Sequence, residues 1–111
     1  MTDPRLKQIK IKAGVVKRCT KDVTSYEKEA NVQQGKVEKL KSEGKDEHDI
    51  RKQEEVLQEC LMMIPDSKRR LRKCYEELTN ILEGEKELEE AEEYKLAVTI
   101  AEEAKAQLEQ E

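Results

Sequence analysis

The side chains best suited to chemistry in this 111-residue sequence are one histidine, three cysteines and an acidic run near the C-terminus. His48 follows Gly44 in a polar stretch, which is typical of a solvated loop and lacks the surroundings that a general base needs. Cys19, Cys60 and Cys74 lack the close spacing of a zinc site and have no histidine near them. The sequence also lacks a glycine-rich phosphate loop. We therefore expect no enzyme activity, no catalytic residue, no metal and no cofactor.

The acidic run at positions 89–93 lacks the alternating oxygen ligands and the turn glycine of a calcium loop. A solvated helix face is one interpretation of this run, and a surface that binds a partner protein is the other. The candidate surface consists of Glu89, Glu90, Glu92, Glu93, Tyr94 and Lys95.

A seven-residue apolar period between positions 49 and 82 provides the first element that could position such surfaces. Apolar residues at alternating steps of three and four form a stripe along one side of a helix, and a narrow stripe needs partner helices beside it. The main column is Ile50, Leu57, Ile64, Leu71 and Leu78, and a second column is Leu61, Tyr75 and Leu82.

Two further helices are predicted, over about residues 4–41 and 87–107. The first carries Ile9, Val16, Val23, Ala30 and Val37, and the third carries Leu88, Ala91, Tyr94, Val98, Ala101 and Leu108. Short polar connections near Gly44 and Gly84 place consecutive helices side by side in opposite directions, and Gly84 is expected to be a left-handed cap. The sequence thus predicts an all-α fold, an antiparallel three-helix bundle with coiled-coil-like packing in a single domain of residues 1–111.

Pro65 lies in the middle of the second helix, and an interior proline kinks or interrupts a helix. We expect a bend or a short break there. Met62 and Met63 cannot both face the apolar stripe, so at least one should be exposed for adaptable contacts, unless the bend turns both inward. With the methionines, three charged residues beyond the proline are candidate partner-binding residues: Asp66, Arg69 and Arg70.

The charges are distributed unevenly, although the net charge is only −4. Residues 1–41 hold 11 basic and 5 acidic side chains, whereas residues 83–111 hold 3 basic and 11 acidic ones. Attraction between a basic first helix and an acidic last helix can help a bundle to close. The basic first helix could instead bind nucleic acid, but the shortage of aromatic residues and the negative total charge oppose this.

Three cysteines without a pairing pattern indicate a reducing compartment, and the sequence has neither a long apolar run nor the layout of a signal peptide. We expect a cytoplasmic protein that does not bind membranes.

Five segments together resemble the tubulin folding cofactor A family, also called tubulin-specific chaperone A. They are residues 3–12, 14–18, 26–30, 62–66 and 81–95. The sequence departs from the family pattern in the first loop, around residues 19–24 and after Lys95.

The resemblance implies an antiparallel three-helix bundle that captures β-tubulin folding intermediates after their release from the cytosolic chaperonin. It implies passage of the client toward the αβ-tubulin heterodimer, without nucleotide or active site. We expect a cytoskeleton-associated protein that is a monomer rather than a dimer, although members of the family can differ in oligomeric state. Other tubulin folding cofactors are further candidate partners. The alternative is a coiled-coil adaptor or structural subunit that dimerises through its helical stripes.

Overall fold

The computed structural model describes residues 3–110, and within that range the fold consists of helices and turns without a β-strand. Helix α1 is Pro4–Ser42, helix α2 is Glu47–Gly84 and helix α3 is Glu92–Glu109. A 3₁₀ turn at Lys86–Leu88 lies between α2 and α3. The prediction of an all-α chain with three helices is therefore confirmed.

Aspartate side chains cap the first turns of α1 and α2. Asp3 accepts a hydrogen bond from the backbone N–H of Arg5 at 2.9 Å, and Asp46 accepts one from the backbone N–H of His48 at 3.2 Å. Both aspartates therefore satisfy an amide in the first turn of a helix that has no partner within the helix. His48 belongs to the first turn of α2, although the sequence had placed it in a loop.

Helix α1 ends in a Schellman motif centred on Gly44. The N–H of Lys45 donates to the carbonyl of Leu40 at 3.1 Å, and the N–H of Gly44 donates to the carbonyl of Lys41 at 3.2 Å. Gly44 has a φ of 66°, the left-handed conformation that this motif requires. Gly84 does not have a positive φ, so the expected left-handed cap at the end of α2 is wrong.

Helix α3 begins at Glu92, later than the predicted start near Glu87. The intervening residues form the 3₁₀ turn, in which the N–H of Leu88 donates to the carbonyl of Glu85 at 2.9 Å. The N–H of Ala91 in turn donates to the carbonyl of Leu88 at 2.9 Å. The acidic, helix-favouring composition of this stretch concealed a tight turn that satisfies the backbone before α3 starts.

Contacts divide the described residues into two compact units. Unit 1 contains the described parts of Met1–Lys21 and Lys68–Glu111, and therefore all of α3. Its core combines side chains from the three helices: Ile9, Ala13, Val16, Leu71, Leu78, Leu82, Tyr94, Ala97, Ile100, Ala101 and Ala104. The stripe of α3 is rich in alanine, and three of its buried residues, Ala97, Ile100 and Ala104, were not expected from the sequence.

Unit 2 is Asp22–Ser67 and consists of the remaining parts of α1 and α2 with the turn between them. Its buried residues are Val23, Ala30, Gln33, Val37, Leu57 and Ser67. The Nε2 atom of Gln33 donates to the backbone carbonyl and to the Oε1 atom of Gln53, at 2.9 and 2.8 Å. These two hydrogen bonds, which we call the polar clasp, join α1 to α2 within unit 2.

In unit 1, positions along α1 pair in opposite order with positions on α2 and directly after its end. Arg5 pairs with Glu85 and Lys12 with Glu77 in unit 1, whereas Lys41 pairs with Glu54 in unit 2. Every predicted member of the main column of α1 is buried. Leu61 is 42% exposed, so its assignment to an inner column is wrong. Unit 2 has no segment of α3 to cover that face of α2.

Helix α2 continues through Pro65, so the predicted short break is not observed, and a bend remains a prediction. The hydroxyl of Ser67 donates to the carbonyl of Ile64 at 2.8 Å. Asp66 and Ser67 were candidates to cap a helix restarted after Pro65, but the Ser67 hydroxyl instead bonds to a carbonyl within the continuous helix α2.

Candidate functional site

Among the residues that were weighed for chemistry, Cys19 and Cys74 lie together, with their Sγ atoms 3.8 Å apart. His48 is exposed at the start of α2. Between residues 3 and 110, no group of three or more His, Cys, Asp and Glu side chains is placed to hold a metal ion. None of the described helices is long and apolar enough to cross a membrane. The features that remain are therefore surfaces.

An open groove in unit 2, which we call the methionine groove, has a volume of about 460 Å³. Met62 is 67% exposed and Met63 is 37% exposed, which confirms that at least one of the pair faces solvent. Val56 beside them is 41% exposed. The groove is lined by Glu29, Val56, Glu59, Cys60, Met62, Met63 and Asp66.

The lining of this groove combines apolar side chains with negatively charged ones. Its charged lining residues are all carboxylates, from Glu29 on α1 and from Glu59 and Asp66 on α2. Methionine side chains are flexible and polarizable, and they adapt to partners of different shape. Such a groove can accept an apolar segment flanked by basic residues.

Exposed apolar side chains extend beyond the groove in unit 2, where Val32 is 61% exposed and Leu61 is 42% exposed. Val32 lines a neighbouring depression that shares Glu29 and Cys60 with the methionine groove. The two depressions together form a longer strip along this unit. Exposed apolar side chains that lie close together are candidates for contact with another protein.

The acidic candidate surface lies in unit 1, in the turn before α3 and in its first turn. Glu89, Glu90 and Glu92 are exposed, whereas Glu93 is partly buried. Lys95 is exposed and pairs with Glu90 at 3.9 Å. Since both side chains of this pair are highly exposed, the pair contributes little to stability, and the surface keeps its negative charge.

Tyr94 does not contribute to that surface, because it is 8% exposed. Its hydroxyl donates to the backbone carbonyl of Leu82 at 2.7 Å. Leu82 lies in the last turn of α2, where carbonyls lack partners within the helix. Tyr94 therefore joins the start of α3 to the end of α2.

Two basic candidates, Arg69 and Arg70, are exposed on the part of α2 that belongs to unit 1. Asp66, Met62 and Met63 belong to unit 2. The structure thus separates the predicted site residues into a methionine group in unit 2 and a charged group in unit 1.

A charged cluster at the start of α1 fixes the turn that precedes the acidic surface. Arg5 pairs with Asp3 at 2.7 Å, with Glu85 at 2.8 Å and also with Glu87. The hydrogen bonds from the Arg5 side chain and its backbone N–H hold the pKa of the Asp3 carboxyl below 3.8. The hydrogen bonds to the three carboxylates raise the pKa of Arg5. The cluster joins the start of α1 to the turn after α2 and is therefore a structural clamp.

Sequence reasoning missed most of the groove lining, namely Glu29, Val56, Glu59 and Cys60. Glu29 is on α1 and the others are on α2, and a helical period within one helix does not reveal which positions of two helices meet. The signal that was available was the exposed methionine pair, since it marked the centre of the groove.

The described features define a helical binding protein whose candidate sites are an apolar groove and a charged helix surface. A family model, tubulin binding cofactor A, matches residues 4–101. Tubulin-specific chaperone A of Gallus gallus is 59% identical over 105 residues, which cover 95% of this chain and 97% of that protein.

Two solved structures are similar to the fold. Human tubulin chaperone cofactor A, at 54% identity, gives a TM-score of 0.81 and covers 92% of this chain and 99% of that one. The crystal structure of tubulin folding cofactor A from Arabidopsis thaliana, at 33% identity, gives a TM-score of 0.88, with coverage of 93% and 97%. The chain belongs to the tubulin binding cofactor A family. The names of these relatives are those of chaperones and folding cofactors, which agrees with a binding protein and not with an enzyme.

Proposed function

We propose that this protein is a tubulin chaperone that captures β-tubulin folding intermediates released from the cytosolic chaperonin, and holds them on the route to the αβ heterodimer. The relatives named as tubulin chaperones and folding cofactors support this assignment. Capture is stoichiometric and needs no ATP. Binding of a nearly folded client shifts its population by mass action, because the complex removes the free intermediate from competing reactions.

The observation that carries the proposal is the methionine groove. Met62 and Met63 act as apolar anchors that determine how long the client stays bound. The carboxylates of Glu29, Glu59 and Asp66 select a client segment with basic residues beside its apolar face. An intermediate still exposes apolar segments that become buried later, so an adaptable groove matches it better than it matches finished tubulin.

The charged group in unit 1 serves the encounter with the client. Glu89, Glu90, Glu92 and Glu93 give this surface a negative field, and Lys95, Arg69 and Arg70 are the basic contacts. Complementary charges mainly raise association rates and fix orientation, whereas apolar anchors mainly slow dissociation. Tyr94 does not contact the client in this proposal, because its side chain is buried.

The architecture in this proposal is an antiparallel three-helix bundle in one domain, with coiled-coil-like packing and a bend at Pro65. In unit 1, Arg5 pairs with Glu85 and Lys12 with Glu77, and this opposite order supports the architecture, as does the buried seven-residue column of α1. We expect a monomer located in the cytoplasm and associated with the cytoskeleton. Its partners are β-tubulin and other tubulin folding cofactors, and neither nucleic acid nor membrane is among them.

The central experiment measures capture of newly released β-tubulin on native gels without nucleotide, with α-tubulin and actin as comparison clients. Replacing both Met62 and Met63 with alanine should weaken β-tubulin capture about tenfold or more, since it removes the anchors of the groove. The double variant should keep its helicity, because both side chains are exposed.

Leu96→Ala is the matched control, because Leu96 is 59% exposed on α3 and belongs to unit 1. It should change capture less than twofold. Equal capture by the methionine double variant and the unaltered protein would exclude the groove, whereas equal retention of actin would remove the assignment to tubulin.

Charge reversal tests the acidic surface separately. Changing Glu89, Glu90 and Glu92 to lysine should slow association with β-tubulin about tenfold at low salt, and the difference should shrink as salt screens the charges. Changing Glu102, Glu103 and Glu109 to lysine alters the net charge equally at other exposed positions. If both triple variants slow association alike, total charge and not this surface is responsible.

The alternative function is a coiled-coil adaptor that dimerises through its helical surfaces. The exposed Val32 and Leu61 in unit 2 are the residues that favour it. Analytical ultracentrifugation of the protein alone distinguishes the two, since the adaptor must dimerise at micromolar concentration. A dimer that also captures β-tubulin would retain the chaperone function and change only the oligomeric state.

A further inference from the structure

Cys19 on α1 and Cys74 on α2 face each other in unit 1, with their Sγ atoms 3.8 Å apart. Both are thiols and both are half-buried. A disulfide bond holds its sulfur atoms about 2.05 Å apart, so rotations of the two side chains about their Cα–Cβ bonds need to supply only a small displacement. We propose that Cys19 and Cys74 form a reversible intramolecular disulfide when the protein meets an oxidised low-molecular-weight disulfide such as glutathione disulfide.

The register of α1 on α2 keeps these two side chains opposite each other. Arg5, Lys12 and Cys19 are spaced seven residues apart on α1. In unit 1 they contact Glu77 and Cys74 on α2 and Glu85 directly after its end. Residues at this spacing lie on one face of a helix. The ion pairs therefore belong to the same interface in which the sulfur atoms meet.

Local charge favours the reaction at this pair over the third cysteine. Cys19 follows Lys17 and Arg18, and Cys74 follows Arg72 and Lys73. Basic side chains attract anionic glutathione disulfide. Cys60 follows Glu59 and lines the methionine groove, whose charged residues are carboxylates that repel the same reagent.

The reaction is a pair of thiol–disulfide exchanges. The thiolate of one cysteine attacks glutathione disulfide, forms a mixed disulfide and releases one glutathione thiolate. The second cysteine attacks the protein sulfur of the mixed disulfide and releases the other glutathione. Two protein thiols are oxidised to one disulfide, and one glutathione disulfide is reduced to two glutathione molecules.

The new bond would close a loop with a sequence separation of 55 residues. All of unit 2, Asp22–Ser67, lies within that loop. A cross-link across a long loop restricts the unfolded chain strongly, so the oxidised protein should unfold at a Tm higher by roughly 10 °C. Excess reduced glutathione should reverse the change.

The test treats the reduced full-length protein with glutathione disulfide and follows intact mass, thiol count and Tm. We expect a monomer lighter by two hydrogen atoms, one remaining thiol at Cys60, a Cys19–Cys74 cross-linked peptide and the higher Tm. Cys60→Ser is the matched control and should behave like the unaltered chain. Cys19→Ser and Cys74→Ser should each fail to form the bond while keeping the helical circular dichroism of the reduced protein.

Three results would overturn the proposal: a stable glutathione adduct, a disulfide that joins two chains or involves Cys60, and an oxidised form whose Tm equals that of the reduced one. Disulfide formation in Cys74→Ser at the rate of the unaltered protein would do the same. None of these measurements involves tubulin, so the outcome is independent of the proposed function.

Discussion

At the scale of single residues, the side chains at the start of α1 do more than begin a helix. Asp3 accepts from the backbone N–H of Arg5, and the Arg5 side chain continues to Glu85 and Glu87 beyond the end of α2. One arginine therefore connects a helix start to a turn about 80 positions away in sequence. The connection places a positive charge among the carboxylates of this turn.

This cluster predicts a specific dependence of stability on pH. The pKa of Asp3 is lower in the folded protein than its ordinary value of 3.8, because Arg5 stabilises the ionised carboxylate. Its contribution to stability is present above about pH 4 and is lost as the pH falls through the lower pKa of the folded state. Urea unfolding of the unaltered protein and Asp3→Asn, between about pH 2 and 6, measures this contribution.

Asparagine can still cap the helix, so Asp3→Asn removes the charge and retains the capping hydrogen bond. The difference in unfolding free energy between the two proteins should be constant near neutral pH and should shrink below about pH 4. A difference that stays constant down to about pH 2 would show that the Asp3 charge does not stabilise the fold.

At the scale of helices, α1 followed its sequence pattern closely. Ile9, Val16, Val23, Ala30 and Val37 are all buried. A seven-residue column is a property of one helix alone, and α1 has neighbouring helix segments in both units, so the pattern was sufficient. The second column of α2 was less reliable, because Leu61 lies where unit 2 has no third helix.

Positions that depend on contacts between helices could not be predicted in this way. The Cys19–Cys74 pair and the meeting of Glu29 with Met62 in one groove depend on the register of two helices. The late start of α3 depends on backbone bonds in the turn and on the Tyr94 hydroxyl, neither of which has a clear sequence signal. The exposed methionines of the groove were therefore predicted from the sequence, whereas most of the other residues that line it were not.

The glycines provide a prediction about helix ends and interiors. Gly44→Ala should destabilise the protein by about 1 kcal/mol, because alanine is strained at the positive φ of the Schellman motif. Gly35→Ala should stabilise it by about 0.5–1 kcal/mol, because Gly35 lies inside α1 and a β-carbon there would meet no atom within 4 Å. Denaturant unfolding of both variants measures the two effects.

Gly44→Ala and Gly35→Ala are a matched pair of variants, since each adds one methyl group at an exposed position of unit 2. Solvent exposure alone would give effects of the same sign. Opposite signs therefore support the conformational explanation, whereas stabilisation by Gly44→Ala would contradict the motif.

At the scale of the whole molecule, the two units differ in the cores that stabilise each of them. Three helices contribute to the core of unit 1, which includes Leu71, Leu78 and Tyr94. Unit 2 has a two-helix core that includes the polar residues Gln33 and Ser67. Exposed Val32, Leu61 and Met62 belong to the thinner unit. The methionine groove thus belongs to the unit with the thinner core.

Native-state hydrogen exchange should therefore distinguish the units. Amides inside the helices of residues 22–67 should exchange faster than those of residues 5–21, 70–82 and 95–106. Opening of unit 2 exposes less apolar surface and costs less free energy than opening of unit 1. Exchange followed by mass spectrometry of peptides, corrected for intrinsic rates, measures the difference. Slower exchange in residues 22–67 would show that the hydrogen bonds between Gln33 and Gln53 stabilise unit 2 more than the lack of a third helix in its core destabilises it. Met62 and its neighbours would then belong to a rigid surface, and the groove would have to select its client by shape instead of adapting to it.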